Sequence, residues 1–249
     1  MRHRHKSAYS YRARIGLIVP PTNTVNEAEW ARMMPDGVTF HTVRMPVHVG
    51  HATEDARRRL VEDISTRARE LQQARVDCVA YACTAGSMIN PPHALAHDIA
   101  QRTGATLVTT AAAIVDALQS LAANRISVAT PYHDELNRHE VDFLAGNGIE
   151  VLSIAGLGLG ANGPADYPLI AETPLAAIES HARNAFRPGS EALLISCTDF
   201  PALTLIEPLE AGLGVPVNTS NQATLWAALS AAGISDPIPD AGRLLARPR

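Results

Sequence analysis

The chain has 249 residues, of which 46% are hydrophobic and 18% are charged, a composition typical of a globular protein that buries its core without disulfides or metal. A formal net charge of −4 argues against a general nucleic-acid-binding surface, because such a surface needs clustered basic residues. No apolar run approaches the length of a membrane span. The expected partner is therefore a small metabolite, with no nucleic acid and no membrane.

Short apolar runs alternate with helical patterns along the chain. Strands are predicted over residues 14–20, 38–43, 76–82, 105–108, 125–130, 151–154, 192–196 and 213–220, and helices over 53–74, 91–103, 109–121, 134–144 and 174–186. Another helix is predicted to begin at Thr24, because Glu27 gives capping-box spacing. Thr53 and Gly104 are the expected caps of two helices. This alternation predicts parallel βαβ units and an α/β fold.

Two further segments have a distinctive composition. Residues 1–12 are basic at their start and are predicted to form a solvated arm. Gly156 to Gly163 is glycine-rich and follows a predicted strand, which predicts a flexible binding loop. Its glycine spacing is only weak evidence for a nucleotide site, since no lysine follows it.

The chain contains an internal sequence repeat, which predicts two structurally similar halves. Val79–Thr84 and Leu193–Thr198 are both apolar runs that end in Cys-Thr, and each is followed by a similar strand, at 103–110 and 213–220. Two copies are too few for a solenoid, so pseudo-symmetric lobes fit better. Such lobes would place one thiol on each side of a cleft between them.

The thiols of Cys83 and Cys197 are the candidate reactive groups. Both follow predicted strands, and open parallel sheets bind ligands beyond the carboxyl ends of their strands. Turns and helix amino-termini near the sulfurs could stabilise thiolates. The alternative is two inert packed thiols, as is predicted for Cys78 inside its strand. Three cysteines without a CxxC pair also indicate a reducing compartment, by default the cytoplasm.

Two polar residues could complete a site with these cysteines. Asn23 lies in the first strand-to-helix loop, where its amide could hold a carboxylate, although it could equally be a turn residue. Tyr132 follows the fifth strand and could project its hydroxyl into the cleft, or be an ordinary half-buried tyrosine. His93 and His97 have helical spacing but lack the glutamate of a zinc protease motif, so no metal site is predicted.

Five motifs resemble those of the Asp/Glu racemase superfamily, and more closely its branch of maleate cis–trans isomerases and arylmalonate decarboxylases. They are Gly16–Thr24, Tyr81–Thr84, Thr130–Tyr132, Ser196–Thr198 and Pro216–Ser220. The paired Cys-Thr motifs resemble the superfamily as a whole, and the Asn-Thr loop resembles the isomerase branch. Arylmalonate decarboxylases keep only the second cysteine, so Cys83 argues against that activity.

The resemblance implies two pseudo-symmetric flavodoxin-like lobes, each a parallel sheet flanked by helices, with the active site in the cleft between them. Residues 13–120 and 217–249 would form lobe 1, and residues 121–216 would form lobe 2. No cofactor would be required. A homo-oligomer, either a dimer or a tetramer, is also implied.

The resemblance further implies a role for each site residue. Cys83 would add to the double bond of a cis-enedioate such as maleate, and Cys197 would give and recover the proton, which yields the trans product fumarate. The remaining residues would bind the small carboxylate substrate and stabilise its intermediate: Asn23, Thr84, Tyr132, Asn162 and Thr198.

Three alternatives are open, and the first two share the two-thiol scheme. One is a racemase or epimerase of an amino acid, a hydantoin or a related small carboxylate. Another is an ectoine-degradation protein of the same branch. The third is a two-lobed carboxylate-binding protein without catalytic activity.

Overall fold

Two four-stranded parallel sheets organise the chain in the computed structural model, which describes residues 4–48 and 53–247. The first sheet contains β1 (Ala13–Val19), β2 (Val38–Arg44), β3 (Cys78–Tyr81) and β4 (Leu107–Thr109). The second contains β5 (Arg125–Tyr132), β6 (Glu150–Leu159), β7 (Ala192–Ile195) and β8 (Val217–Thr219). The strand orders are β2-β1-β3-β4 and β6-β5-β7-β8, so both sheets follow the flavodoxin-like pattern. The predicted α/β fold with two similar parallel sheets is confirmed.

Helices connect the strands and cover the sheets. They are α1 (Asn26–Met33), α2 (Glu54–Gln72), α3 (Thr84–Ser87), α4 (Ala94–Thr103), α5 (Thr110–Ser120), α6 (Asp134–Ala145), α7 (Pro168–Ala171), α8 (Leu175–Ala185), α9 (Ile206–Leu213), α10 (Ser220–Ala231) and α11 (Gly242–Leu245). Two short 3₁₀ turns lie at Pro164–Asp166 and Leu203–Leu205. None of the helices in the described part of the chain combines the length and the apolar character that a bilayer crossing requires.

Local sequence explains where several of these helices begin and end. The Thr53 side chain accepts a hydrogen bond from the Ala56 N–H at the start of α2, as its sequence position predicted. Gly104 ends α4 with a φ of 72°, a conformation that glycine adopts without steric cost. The capping box predicted at Thr24 is wrong. The Asn23 side-chain oxygen instead accepts from the N–H groups of Val25 and Asn26, at 3.1 and 3.0 Å.

Two helices each pack on the other sheet from the one whose last strand precedes them in the sequence: α5 follows β4, and α10 follows β8. Buried residues of α10, including Leu225 and Leu229, share a core with Ile15 and Leu17 of β1. Buried residues of α5 share a core with β5 and β7 of the second sheet. Helices α5 and α10 also contact each other. The predicted lobe boundaries stay a prediction: residues 13–120 with 217–249, and residues 121–216. Helix α5 belongs to the first lobe in this division, but its buried residues pack in the core of the second sheet.

The glycine-rich segment is mainly a strand, so its prediction as a loop is wrong for Gly156 to Leu159. These residues belong to β6, and Thr130 pairs with Gly156 in the β5–β6 register. Strand β5 likewise continues through Pro131 to Tyr132. Parallel pairing therefore continues past the proline and glycine positions that the sequence analysis took as breaks.

The amino-terminal arm is docked on the protein rather than solvated. The Arg4 guanidinium and the His5 ring contact the Asp77 carboxylate at 3.0 and 2.8 Å, and Asp77 also accepts from the Arg14 N–H. The backbone N–H groups of Arg4 and His5 donate to the Tyr11 carbonyl. Residues 1–3 lie outside the described part of the chain.

The close contact between β5 and β6 gives a stability prediction at Gly156. A β-carbon there would overlap the Tyr132 carbonyl oxygen and the Asn137 side chain, and backbone atoms cannot move aside. We expect Gly156→Ala to lower the free energy of unfolding by roughly 2–4 kcal/mol, measured by urea denaturation. Gly212→Ala is the matched control, because a β-carbon there meets only the end of the Arg183 side chain, 2.7 Å away. Equal losses in the two variants would contradict this packing.

Candidate active site

Both candidate cysteines line one cavity of about 140 Å³ at the carboxyl ends of the strands. Four of the five other predicted site residues also line this cavity: Asn23, Thr84, Tyr132 and Thr198. The fifth, Asn162, does not. Apolar side chains complete the wall: Met45, Pro46, Val47, Leu136, Leu159 and Ile170. The duplicated Cys-Thr motifs therefore converge on one cavity.

Cys83 follows β3 and begins the short helix α3. The Gly86 N–H donates to its sulfur at 3.3 Å, and the Tyr81 hydroxyl is a second donor. Burial raises the pKa of the Cys83 thiol, while these two donors oppose the rise because they favour the thiolate. This sulfur thus sits in a site with hydrogen-bond donors directed at it.

Cys197 follows β7 in a strained backbone conformation with a φ of 113°. The Asp199 N–H lies 3.5 Å from its sulfur, and the Tyr132 hydroxyl also donates to it. Burial raises the pKa of this thiol to about 12, and the charges of Asp199 and of an ionised Cys83 raise it further. Burial accounts for the raised pKa of Cys83 without a carboxylate among its causes. The negative charge of Asp199 thus opposes ionisation of Cys197 and is not among the causes acting on Cys83.

The hydroxyls of Thr84 and Thr198 both bind protein groups, and their role in stabilising an intermediate stays a prediction. Thr84 donates to the Ser220 hydroxyl at 2.9 Å. Thr198 donates to the Ala82 carbonyl at 3.2 Å and accepts from the Asn23 amide at 3.1 Å. Each hydroxyl proton is thus used in a hydrogen bond to a residue more than 100 positions away in the sequence. The expectation for the backbone N–H groups of the two threonines stays a prediction.

Asn162 lies away from the cavity, on the exposed turn after β6. Its backbone N–H and its side-chain amide both bond the Asp166 carboxylate, at 3.2 and 2.9 Å. These two bonds turn Asn162 toward the next 3₁₀ turn. Gly160 and Tyr167 of the same segment line the cavity instead.

Sequence reasoning missed several residues that line the cavity, chiefly Asp199 and Tyr81. Asp199 accepts from the Thr24 and Val25 N–H groups at 2.9 and 3.3 Å, and burial raises the pKa of its carboxyl to about 6. It is the second residue after Cys197, and Tyr81 is the second residue before Cys83. Their proximity to the two Cys-Thr motifs was the available signal.

Of the residues that the structure describes, the basic ones that line the cavity are two histidines, His48 and His133. None of the described residues that line it is a lysine or an arginine. The nearby Arg44 guanidinium is held by the Pro20 and Asn23 carbonyls at 3.3 and 2.8 Å and by the Glu27 carboxylate. The described part of the chain contains no cluster of three or more His, Cys, Asp or Glu residues that could hold a metal ion.

Glu140 is a buried carboxyl behind the site. It is 1% exposed, and its Oε2 atom has no hydrogen-bond partner among the described residues. Burial raises its pKa to about 7, only partly opposed by the nearby Ser196 hydroxyl. Its charge also raises the pKa of Tyr132, so it lies close enough to influence the tyrosine that contacts Cys197.

The three thiols should differ in their rates of alkylation. We expect iodoacetamide to label Cys83 first and Cys197 more slowly, since the thiolate is the reactive form. Cys78 should react only on unfolding, because it is 1% exposed and burial raises its pKa to about 12. Peptide mass spectrometry at pH 8 against time measures this order. Labelling of Cys78 as fast as Cys83 in the folded protein would contradict it.

Glu140 should make stability depend on pH. The folded protein holds this proton more tightly than the unfolded chain, so stability should fall as the pH rises from about 4.5 to about 7. The loss should be roughly 3 kcal/mol. Glu140→Gln should remove this part of the pH dependence, which chemical denaturation at pH 5 and pH 8 can measure. The exposed Glu150→Gln is the control, and identical pH profiles for the two variants would rule the effect out.

Comparisons with known proteins agree with this geometry. The chain is 29% identical over 249 residues to a maleate isomerase of Geobacillus stearothermophilus, covering 93% of this chain and 96% of that protein. The crystal structure of maleate isomerase Iso, a cysteine-to-alanine variant from Pseudomonas putida S16 with maleate, matches with a TM-score of 0.84 at 28% identity and covers 94% of this chain and 97% of that one.

A third match is the Nocardia farcinica maleate cis–trans isomerase, as a cysteine-to-serine mutant with a covalently bound succinylcysteine intermediate. Its TM-score is 0.82 at 25% identity, over 94% of this chain and 98% of that one. The family model for arylmalonate decarboxylase matches residues 15–245. The chain therefore belongs to the arylmalonate decarboxylase and maleate isomerase family of the Asp/Glu racemase superfamily, as its motifs predicted.

Proposed function

We propose that this protein is a cofactor-independent cis–trans isomerase of a small unsaturated dicarboxylic acid, with Cys83 as nucleophile and Cys197 as acid and base. The observation that carries the proposal is the pair of thiols in one cavity, each with a tyrosine hydroxyl and a backbone N–H directed at its sulfur. A decarboxylase of this family needs only the second thiol. The donors around Cys83 favour its use as a nucleophile.

The reaction begins with addition to the double bond. The Cys83 thiolate forms a C–S bond, the π electrons move onto the adjacent carboxyl group, and Cys197 donates its proton to the carbon that carries the negative charge. The central bond is then single and rotates. Cys197 takes the proton back, the C–S bond breaks, and the trans isomer leaves. No atoms or electrons are gained or lost.

The difference in charge between the two thiols supports this division of roles. Asp199 stands beside Cys197 and favours its protonated form, whereas burial is the cause that raises the pKa of Cys83. Cys197 is therefore proposed to keep its proton as the acid, while Cys83 supplies the sulfur that attacks. A nucleophile and an acid are what the addition step requires.

Neutral donors would hold the substrate and its intermediate. Asn23 lines the cavity and is proposed to contact a carboxylate with the amide N–H that its bond to Thr198 does not use, together with the backbone N–H groups of Thr84 and Thr198. Tyr132 also lines the cavity and could contribute only after its hydroxyl leaves the Cys197 sulfur. Asn162 could contribute only after its bonds to Asp166 break. The covalent succinylcysteine in the Nocardia farcinica relative supports an addition route in this family. A homo-oligomer and a cytoplasmic location stay predictions.

The test is turnover of maleate to fumarate, followed by proton NMR. We expect Cys83→Ser and Cys197→Ser each to lower kcat by roughly 10²–10⁴-fold, because each removes one of the two proton-transfer or bond-forming groups. Cys78→Ala is the matched control and should keep its activity, since Cys78 lies inside β3.

A racemase would give a different result with the same preparations. Deuterium would enter the α-position of a chiral carboxylate in heavy water, with no isomerisation of any cis-unsaturated diacid or its derivatives. Full activity in either serine variant would also end the proposal. Loss of folding is separated from loss of chemistry by circular dichroism of each variant.

A further inference from the structure

Asp199 brings a carboxylate into a cavity that would also have to hold the substrate. Its Oδ1 atom accepts from the Thr24 and Val25 N–H groups at 2.9 and 3.3 Å. Its Oδ2 atom takes no hydrogen bond from any residue in the described ranges, and the residue lines the cavity. One oxygen of this carboxylate is therefore structural, and the other is available to a bound molecule.

The surroundings of Asp199 neutralise it only in part: Arg44 acts on it from nearby, and the lining also carries His48 and His133. Lysine and arginine are absent from the described lining, and Arg44 is bound to two carbonyls and to Glu27. Burial raises the pKa of Asp199 to about 6, although the two loop N–H groups and the charge of Arg44 oppose this. A dianion would add two more negative charges beside Asp199, and the nearby guanidinium of Arg44 is already paired with Glu27, so the added charge is costly.

We propose that the substrate is the monoamide of a small cis-unsaturated diacid, bound with its amide N–H donating to Asp199 and its single carboxylate held by the neutral donors. This inference rests on the proposed isomerase activity and names the substrate class. A monoamide accounts for both the unbonded Oδ2 atom of Asp199 and the limited positive charge around it. The amide supplies the donor that Oδ2 lacks, and it removes one of the two charges that the cavity does not balance.

The position of Asp199 also fixes which end of the substrate faces which thiol. Because the Asp199 N–H lies 3.5 Å from the Cys197 sulfur, the amide end lies beside Cys197. Cys83 then forms its C–S bond at the carbon next to the carboxylate, and the electron pair moves onto the amide carbonyl. Cys197 protonates the carbon next to the amide. A neutral amide accepts this electron pair more readily than a carboxylate, which already carries a charge.

The experiment compares kcat/KM for maleate and for its monoamide at pH 8, in the wild type and in Asp199→Asn. The wild type should prefer the monoamide by roughly tenfold or more. Asparagine keeps an oxygen for the Thr24 and Val25 N–H groups but replaces Oδ2 with an NH₂ donor. We therefore expect Asp199→Asn to lower the ratio of monoamide to maleate by roughly 10- to 100-fold.

Glu191→Gln is the matched control. Glu191 also accepts from two backbone N–H groups, those of Asn124 and Arg125, but at the amino end of β5 and away from the cavity. Its substrate ratio should equal that of the wild type. A second measurement does not depend on any variant: the saturated monoamide, succinamate, should bind the wild type more tightly than succinate in calorimetry.

Three results would overturn the inference. The first is a wild type that prefers maleate or treats the two substrates equally. The second is an Asp199→Asn variant that folds and loses both activities by the same factor, since that would make Asp199 a helix cap only. The third is tighter binding of succinate than of succinamate. If neither cis substrate turns over while the wild type is folded, the proposed isomerase activity itself fails.

Discussion

The active site depends on hydrogen bonds that cross between the two halves of the chain at the Cys-Thr motifs. Thr198 of the second half donates to the Ala82 carbonyl of the first, and Thr84 of the first donates to Ser220. Ser220 also accepts from the Cys197 N–H at 2.9 Å. These groups are buried, so breaking one bond would leave unpaired polar atoms away from water. The positions of the two sulfurs are therefore set by the same bonds that join the halves.

Carboxylates strengthen the same junction from both sides. Asp199, from the second half, accepts from the N–H groups at the start of α1. Glu29, on α1, accepts from the Ala202 and Leu203 N–H groups at 2.7 and 2.8 Å, and from the Asn221 side chain. The loop that carries Asn23 and the loop that follows Cys197 are thus fixed to each other. Burial raises the pKa of Glu29, which is consistent with its enclosed position.

Much of this architecture could be predicted from the sequence because it depends on local patterns. Strand and helix periodicity, the caps at Thr53 and Gly104 and the duplicated Cys-Thr motifs all act over short distances, and they predicted the sheets and the position of both thiols. The cavity contacts of Asp199 depend on bonds between distant segments, and no spacing rule encodes them. Asn162 could not be placed for a different reason, because a local bond to Asp166, four residues later, competes with any substrate.

Helices α5 and α10 each pack in the core of the other sheet, and this packing restricts how the molecule can move. Each helix belongs by sequence to the strand before it and packs against the sheet of the other half. A wide hinge opening, like that of two-domain binding proteins, would have to separate α10 from the first sheet and α5 from the second sheet, which would expose their apolar faces to water. Ligand traffic is therefore expected to use local rearrangement of the walls around the cysteines, with the two sheets keeping their mutual orientation throughout a catalytic cycle.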